Sequence, residues 1–154
     1  PLERANRLPT TGSPGGGGHV IPFEGELLLV GRILFALIFI YNGYNNVTNP
    51  AMVDYADSHD IPFPAIAAPV GGITILLGGI GIPLGAFKVL SAIALVGFLV
   101  TATPFVHDFW TLPEGERVNQ FNHFMKNVTM TGGGIAFLVL ADGDWAYALN
   151  VGLF

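Results

Sequence analysis

Long apolar runs alternate with short polar segments along the chain, and four of these runs have the length of a membrane span. A helix needs about 20 mostly apolar residues to cross the hydrocarbon core of a bilayer. The four runs occupy residues 25–46, 65–81, 86–106 and 121–140. They are continuous and do not alternate with polar residues, which favours helices over the strands of a β-barrel. The pattern predicts an all-α fold, an integral membrane four-helix antiparallel bundle.

Three segments lie outside the four runs. Residues 1–24 are rich in Gly and Pro, and ordering them costs about 1–2 kcal/mol per residue for the backbone alone. Because they can bury little apolar surface in return, we predict an extended arm that binds a partner subunit. The AMVDYADSH stretch in the first loop predicts a short amphipathic helix. Residues 141–154 end in an apolar stretch too short to cross, which predicts an interfacial or partner-contacting tail.

The composition agrees with a membrane protein. Charged residues make up 11% of the chain, against about 25% in soluble domains, which excludes a water-soluble globular enzyme. The six Lys and Arg residues are scattered, so no nucleic-acid surface is expected. The chain has no Cys, which excludes disulfides and thiolate catalysis. The first loop carries three Asp and no Lys or Arg, which favours cytoplasmic placement of both termini.

One charge lies inside the first predicted span, at Arg32. A charged residue there costs a few kcal/mol unless it reaches the interface or finds a partner. Glu24 and Glu26 precede it on the same helix, so one interpretation is a structural pair or a snorkelling side chain. The alternative is contact with a quinone or lipid head group, or with a partner subunit.

Small residues recur in the second and fourth spans. Stripes of small residues let helix backbones approach closely in a membrane, where no hydrophobic effect drives association. The positions predicted to serve helix packing are Gly71, Gly72, Gly78, Gly132 and Gly133. None belongs to a phosphate-binding loop, because no strand precedes them and no Lys-Ser or Lys-Thr follows.

Polar residues collect at one end of the predicted bundle. An antiparallel arrangement brings the end of the first span, the start of the second, the end of the third and the start of the fourth to one membrane face. The candidates for a quinone or lipid site on that face are Asn42, His107, Asp108, Trp110, His123, Lys126 and Asn127. We expect Asp108 and Lys126 to form an ion pair in this network, since each alone would bear a desolvation cost.

Two other interpretations of this face stay open. His107 and His123 could ligate a haem or a metal ion, although no third ligand is evident, so no metal site is assigned. The residues could also be plain interfacial anchors. No catalytic residue is predicted.

Several of these stretches together resemble a known family. They are GRILFALIFIYNGYNN in the first span, the Gly-rich second span, His-Asp-Phe-Trp at 107–110 and FMKNVTMTGG at 124–133. The chain from residue 26 to residue 140 is similar to the DoxX family of small four-helix membrane proteins. Asn46 stands where the family often has Lys, and the second span lacks an early acidic residue, so an intramembrane ion pair between them is not available.

The resemblance implies a relation to subunits of membrane oxidoreductases, including thiosulfate:quinone oxidoreductase and terminal quinol oxidase complexes. Because the chain has no redox-cofactor motif of its own, we expect an accessory, non-catalytic subunit of a respiratory or other electron-transfer complex. It would contact other membrane subunits and lipids, with no cofactor bound by this chain alone and a quinone or lipid as a possible ligand. The alternatives are a quinone- or lipid-binding oxidoreductase component of the thiosulfate:quinone oxidoreductase type and a standalone membrane protein that handles a small molecule or lipid.

Overall fold

The structure of the protein is a computed structural model that describes residues 21–153. Five α-helices and no β-strand are present in this range, which confirms the all-α prediction there. The helices are α1 (Glu24–Thr48), α2 (Ala51–Asp57), α3 (Pro64–Leu84), α4 (Lys88–Val106) and α5 (Glu114–Leu140), with a 3-10 turn at Phe109–Thr111 after α4. Residues 1–20 of the predicted arm lie outside the described residues.

Three helical segments are long and apolar enough to cross a membrane. They are Glu24–Thr48, Pro64–Leu84 and Lys88–Thr111, with mean hydropathies of 1.8, 2.0 and 2.2. Large apolar side chains on their outer surfaces are exposed, such as Leu34 at 65% and Leu77 at 63%. Outward-facing apolar side chains suit a lipid environment, and the chain is a membrane protein.

The fourth predicted span is also a helix, but a more polar one. α5 begins at Glu114, ahead of the predicted start, with Glu114 and Glu116 in its first turn. Carboxylates are favourable at that position because the amino end of a helix carries partial positive charge. At 27 residues, α5 is about 40 Å long by the rise of 1.5 Å per residue. α5 is therefore long enough to cross a membrane, but its polar first half makes it less apolar than the three segments above.

A tight hairpin joins α3 to α4. Gly85 follows α3 with a φ of 60°, a left-handed conformation that glycine adopts without strain. The amide of Ala86 donates to the carbonyl of Gly81 at 3.0 Å, and that of Gly85 donates to Ile82 at 3.2 Å. These two bonds form a Schellman motif, which ends α3 and turns the chain directly into α4.

Glycines allow α1 and α3 to lie against each other. A Cβ atom on Gly43 of α1 would lie 2.7 Å from the backbone nitrogen of Leu76 in α3. On the other side of the same contact, a Cβ atom on Gly72 would lie 2.8 Å from Cβ of Asn46. The backbones of α1 and α3 are therefore closer together than a larger residue at position 43 or 72 would permit.

The other glycines differ in their surroundings. Within 3.0 Å of an added Cβ, Gly71 meets the Phe98 ring, Gly78 meets Leu95, and Gly133 meets the Phe35 ring. Gly132 meets nothing within 4 Å. The packing role predicted for Gly132 is therefore wrong within the described chain, because this residue lies on the outer face of α5.

Residues 141–153 fold back over the end of the bundle where α1 begins and α3 ends. The amide of Leu149 donates to the carbonyl of Leu84 at 2.8 Å, and the amide of Phe87 donates to Val151 at 2.6 Å. Trp145 is only 4% exposed and belongs to the main hydrophobic core. We call residues 141–153 the terminal strap. Its aromatic anchor contacts this chain's own bundle and is not available to a partner.

Arg32 is fully buried, with 0% exposure. Its Nη2 donates to the carbonyl of Ala146 in the terminal strap at 2.6 Å, and its guanidinium carbon lies 5.1 Å from the centre of the Trp145 ring. Nε and Nη1 have no hydrogen-bond partner among the described residues. The terminal strap thus provides both the hydrogen-bond acceptor and the aromatic ring that contact this charge.

Arg32 has the structural role that one sequence-based interpretation gave it, but its partner is the terminal strap. Over residues 21–153 it forms no ion pair with Glu24 or Glu26; Glu26 instead accepts a hydrogen bond from the Tyr147 hydroxyl at 2.9 Å. Contact with a head group or partner is also wrong, because the side chain is wholly enclosed. The terminal strap occupies the space toward which Arg32 points.

Candidate functional site

A pocket of about 650 Å³ lies at the end of the bundle opposite the terminal strap. Residues from the end of α1, from α2, from the start of α3, from the end of α4 and from the first half of α5 line it. Its volume falls in the range of about 300–1,000 Å³ that is typical of small-molecule sites.

The pocket is amphipathic. Apolar side chains form its inner wall, and three of them, Phe39, Ile75 and Leu99, are at most 3% exposed. Its polar lining consists chiefly of Asn42, Asn45, Asn46, Tyr55, Thr101, His107, Asn119, Gln120, His123, Lys126 and Asn127. An apolar cavity with polar groups in its lining suits a ligand that has a polar head and an apolar body.

Two imidazole rings stack in the polar part of the pocket. His107, at the end of α4, and His123, in α5, have ring centres 5.4 Å apart and planes 16° from parallel. Nδ1 of His107 lies 2.9 Å from Oε1 of Gln120. Nζ of Lys126 lies 3.3 Å from Nδ1 of His123. Since an ammonium group can only donate, Nδ1 of His123 accepts, and the ring proton lies on Nε2.

Five of the seven predicted site residues line this pocket: Asn42, His107, His123, Lys126 and Asn127. Asn127 also donates through Nδ2 to Oγ1 of Thr103 at 3.1 Å, which joins α5 to α4. The antiparallel order of the helices brings these residues together, as the sequence pattern indicates.

Asp108 does not belong to the lining. Its Oδ2 accepts a hydrogen bond from Oγ1 of Thr111 at 2.6 Å. The predicted ion pair between Asp108 and Lys126 is wrong, because Asp108 follows the end of α4 and its side chain stabilises the 3-10 turn. Among residues 21–153 the ammonium of Lys126 has His123 as its side-chain partner.

Trp110 also lies outside the lining and is 53% exposed. It belongs to an aromatic cluster in which the Phe109 ring makes edge contacts with Trp110, Phe121 and Phe124 at 5.1–5.4 Å. Trp110, predicted as a site residue, therefore packs in this cluster with Phe121. The cluster fixes the turn between α4 and α5 and so sets the position of His107 beside His123.

The stacking bears on metal or haem ligation. Parallel rings hold their nitrogen lone pairs in separate planes and do not direct them at one shared ion. No group of three His, Cys, Asp or Glu side chains suited to a metal ion occurs in the part of the chain that the structure describes.

Helix α2 contributes a wall that sequence reasoning missed. The amphipathic helix was predicted, but not that Met52 and Tyr55 line the pocket. Nδ2 of Asn45 donates to Sδ of Met52 at 3.3 Å, which ties α2 to α1. Partial burial raises the pKa of Tyr55, so its hydroxyl stays a donor at neutral pH. The three-residue spacing of Met52 and Tyr55, one helical turn, was the available signal.

These features define the class as a helical integral membrane protein with an amphipathic pocket at one end of the bundle. A family comparison gives the particular assignment: the DoxX family model matches residues 27–108, more than half of the chain. The chain belongs to the DoxX family. The match runs from α1 to the end of α4 and Asp108, so α5 lies beyond it. No curated protein and no solved structure is significantly similar to the chain.

Proposed function

We propose that this chain is an integral membrane subunit of a respiratory or other electron-transfer complex, non-catalytic on its own, and that its pocket binds a quinone or lipid. The observation that carries the proposal is the 650 Å³ pocket, which combines a buried apolar wall with the stacked His107 and His123. The resemblance to subunits of membrane oxidoreductases supports the assignment to a complex.

The pocket chemistry suits such a ligand. A quinone ring or a lipid head group presents oxygen acceptors, and the Nε2–H of His123 and the hydroxyl of Tyr55 are donors of the matching kind. The ring contacts of Phe98 and the aliphatic chains of Ile75 and Leu99 suit an apolar body. The same arrangement also holds the ligand near the end of the spans, where its polar part meets the interface.

The histidines provide a test of ligand binding. We expect His107→Gln and His123→Gln each to reduce about tenfold the quinone or lipid retained by the detergent-extracted protein, as expected from a loss of about 1.4 kcal/mol. The midpoint of thermal unfolding should stay unchanged, because both rings are partly exposed in the pocket. Mass spectrometry of an organic extract measures retention.

His59→Gln is the matched control for this test. Nδ1 of His59 lies 2.8 Å from the carbonyl oxygen of Tyr55, and its ring is tilted by 44° against the Tyr55 ring, but His59 does not line the pocket. Retention should therefore equal that of the unmodified protein. If His107→Gln and His123→Gln retained as much ligand as His59→Gln and the unmodified protein, the proposal that the ligand contacts the stacked His107 and His123 would be contradicted.

Membership of a complex is tested separately. Purification in mild detergent should yield a stoichiometric partner that carries haem or flavin, detected by mass spectrometry of the intact assembly. Deletion of residues 1–20 should release that partner and leave the helical content unchanged, since the predicted arm contributes no span. A chain that purifies alone, with lipid bound, would instead support the standalone lipid-handling function.

A further inference from the structure

The charged and titratable groups in the pocket are unbalanced. Among the described residues that line it, Lys126 carries a positive charge, His107 and His123 are imidazoles, and none is Asp or Glu. Asp108, the carboxylate next to His107 in sequence, is bound by Thr111 and lies outside the lining. The pocket therefore offers hydrogen-bond donors and positive charge to its occupant without a competing acid.

Lys126 is the central group in this imbalance. Its ammonium has three donors, and Nδ1 of His123 accepts one of them. No carboxylate forms an ion pair with it within residues 21–153. Lys126 is itself exposed at the mouth of the cavity, and an anionic oxygen group beside it would form charge-assisted hydrogen bonds with the ammonium. The Nε2–H of His123 adds a second donor next to the ammonium.

We infer that the pocket selects a single-chain amphiphile whose head is an anionic oxygen group, either a carboxylate or a phosphate monoester. The head binds at Lys126 and His123, and the alkyl chain lies along Phe39, Ile75 and Leu99. A volume of about 650 Å³ suits one such chain. This inference rests on the proposed pocket function and specifies the charge of its ligand.

The ligand series uses the full chain in detergent. Four tritiated ligands are compared by scintillation proximity: hexadecanoic acid, hexadecyl phosphate, hexadecanol and a short-chain quinone. At least one anionic ligand is expected to bind about tenfold more tightly than the alcohol of the same chain length, because charge-assisted hydrogen bonds are the stronger ones. The better of the two anions distinguishes a carboxylate from a phosphate head.

A variant series assigns the preference to a residue. Lys126→Gln should abolish the preference for the anion and leave binding of hexadecanol unchanged, whereas Lys126→Arg should retain it. Arg117→Gln is the matched control, because it removes a positive charge from the same helix at a residue outside the pocket lining. Its anion preference should equal that of the unmodified protein.

The outcomes distinguish failure of the inferred anion selectivity from failure of the proposed ligand binding by the pocket. Equal binding of alcohol and anions by the unmodified protein, or an anion preference that survives Lys126→Gln, would overturn the inference. Binding of the quinone or alcohol without the anions would also overturn it, while the proposed pocket function would stand. Binding of none of the four would overturn both. The comparison in the unmodified protein does not depend on whether a variant folds.

Discussion

Trp145→Ala is expected to lower the free energy of unfolding by about 3–5 kcal/mol, the usual cost of truncating a buried aromatic side chain. The ring is 4% exposed and lies against Phe137, with ring centres 5.9 Å apart. Its Nε1 donates to the carbonyl of Leu140 at 2.8 Å. Removal of the indole also takes away the aromatic face beside the buried guanidinium of Arg32, which has no carboxylate partner in the described chain.

Trp110→Ala is the control for this prediction. The residue is also a tryptophan, but it is 53% exposed and makes only edge contacts with neighbouring rings. Its loss should cost less than that of Trp145, about 1–2 kcal/mol from its two edge contacts. Thermal unfolding followed by circular dichroism in one detergent measures both variants. Similar midpoints for the two would show that the terminal strap does not stabilise the bundle.

Gly43→Ala is expected to destabilise the contact between α1 and α3 by about 1–3 kcal/mol, as overfilling a close-packed site does. The new methyl group would lie 2.7 Å from the backbone nitrogen of Leu76 and 2.8 Å from the carbonyl oxygen of Gly72. Both are backbone atoms, so no side chain can rotate away, and the helices must separate.

Gly132→Ala is the matched change on α5, at a glycine with no atom within 4 Å of an added Cβ. Alanine favours a helix over glycine by about 1 kcal/mol, so this variant should be as stable as the unmodified protein or slightly more stable. Denaturant titration under one set of conditions compares the two. A Gly43→Ala protein as stable as Gly132→Ala would show that the close approach of α1 and α3 is not required.

Helical periodicity and the order of the spans were enough to predict the polar end of the pocket. Asn42, His107 and His123 come from three different helices, yet an antiparallel sequence of spans places all three at one end. Topology alone settles that placement, which requires no knowledge of side-chain contacts. The local amphipathic pattern of the first loop predicted the short helix that is α2 in the structure.

Contacts between distant parts of the chain could not be predicted from the sequence. Asp108 was paired with Lys126 because both were expected at one depth, but a local bond to Thr111 satisfies the carboxylate instead. Local hydrogen bonds of this kind compete well with long-range ion pairs, since they order few additional atoms. The partner of Arg32 was missed for the opposite reason: it is a backbone carbonyl in a segment with no helical period.

The distance along the chain between Arg32 and the carbonyl that it binds has a consequence for biosynthesis. The two residues are 114 positions apart, and a ribosome makes the arginine first. During that interval α1 carries a charge in its amino-terminal half, which is costly to hold within the membrane, with neither Ala146 nor Trp145 yet available. The first helix must therefore hold its guanidinium toward the membrane surface until Trp145 and Ala146 are translated, so the strap docks on Arg32 only after α5 has been made.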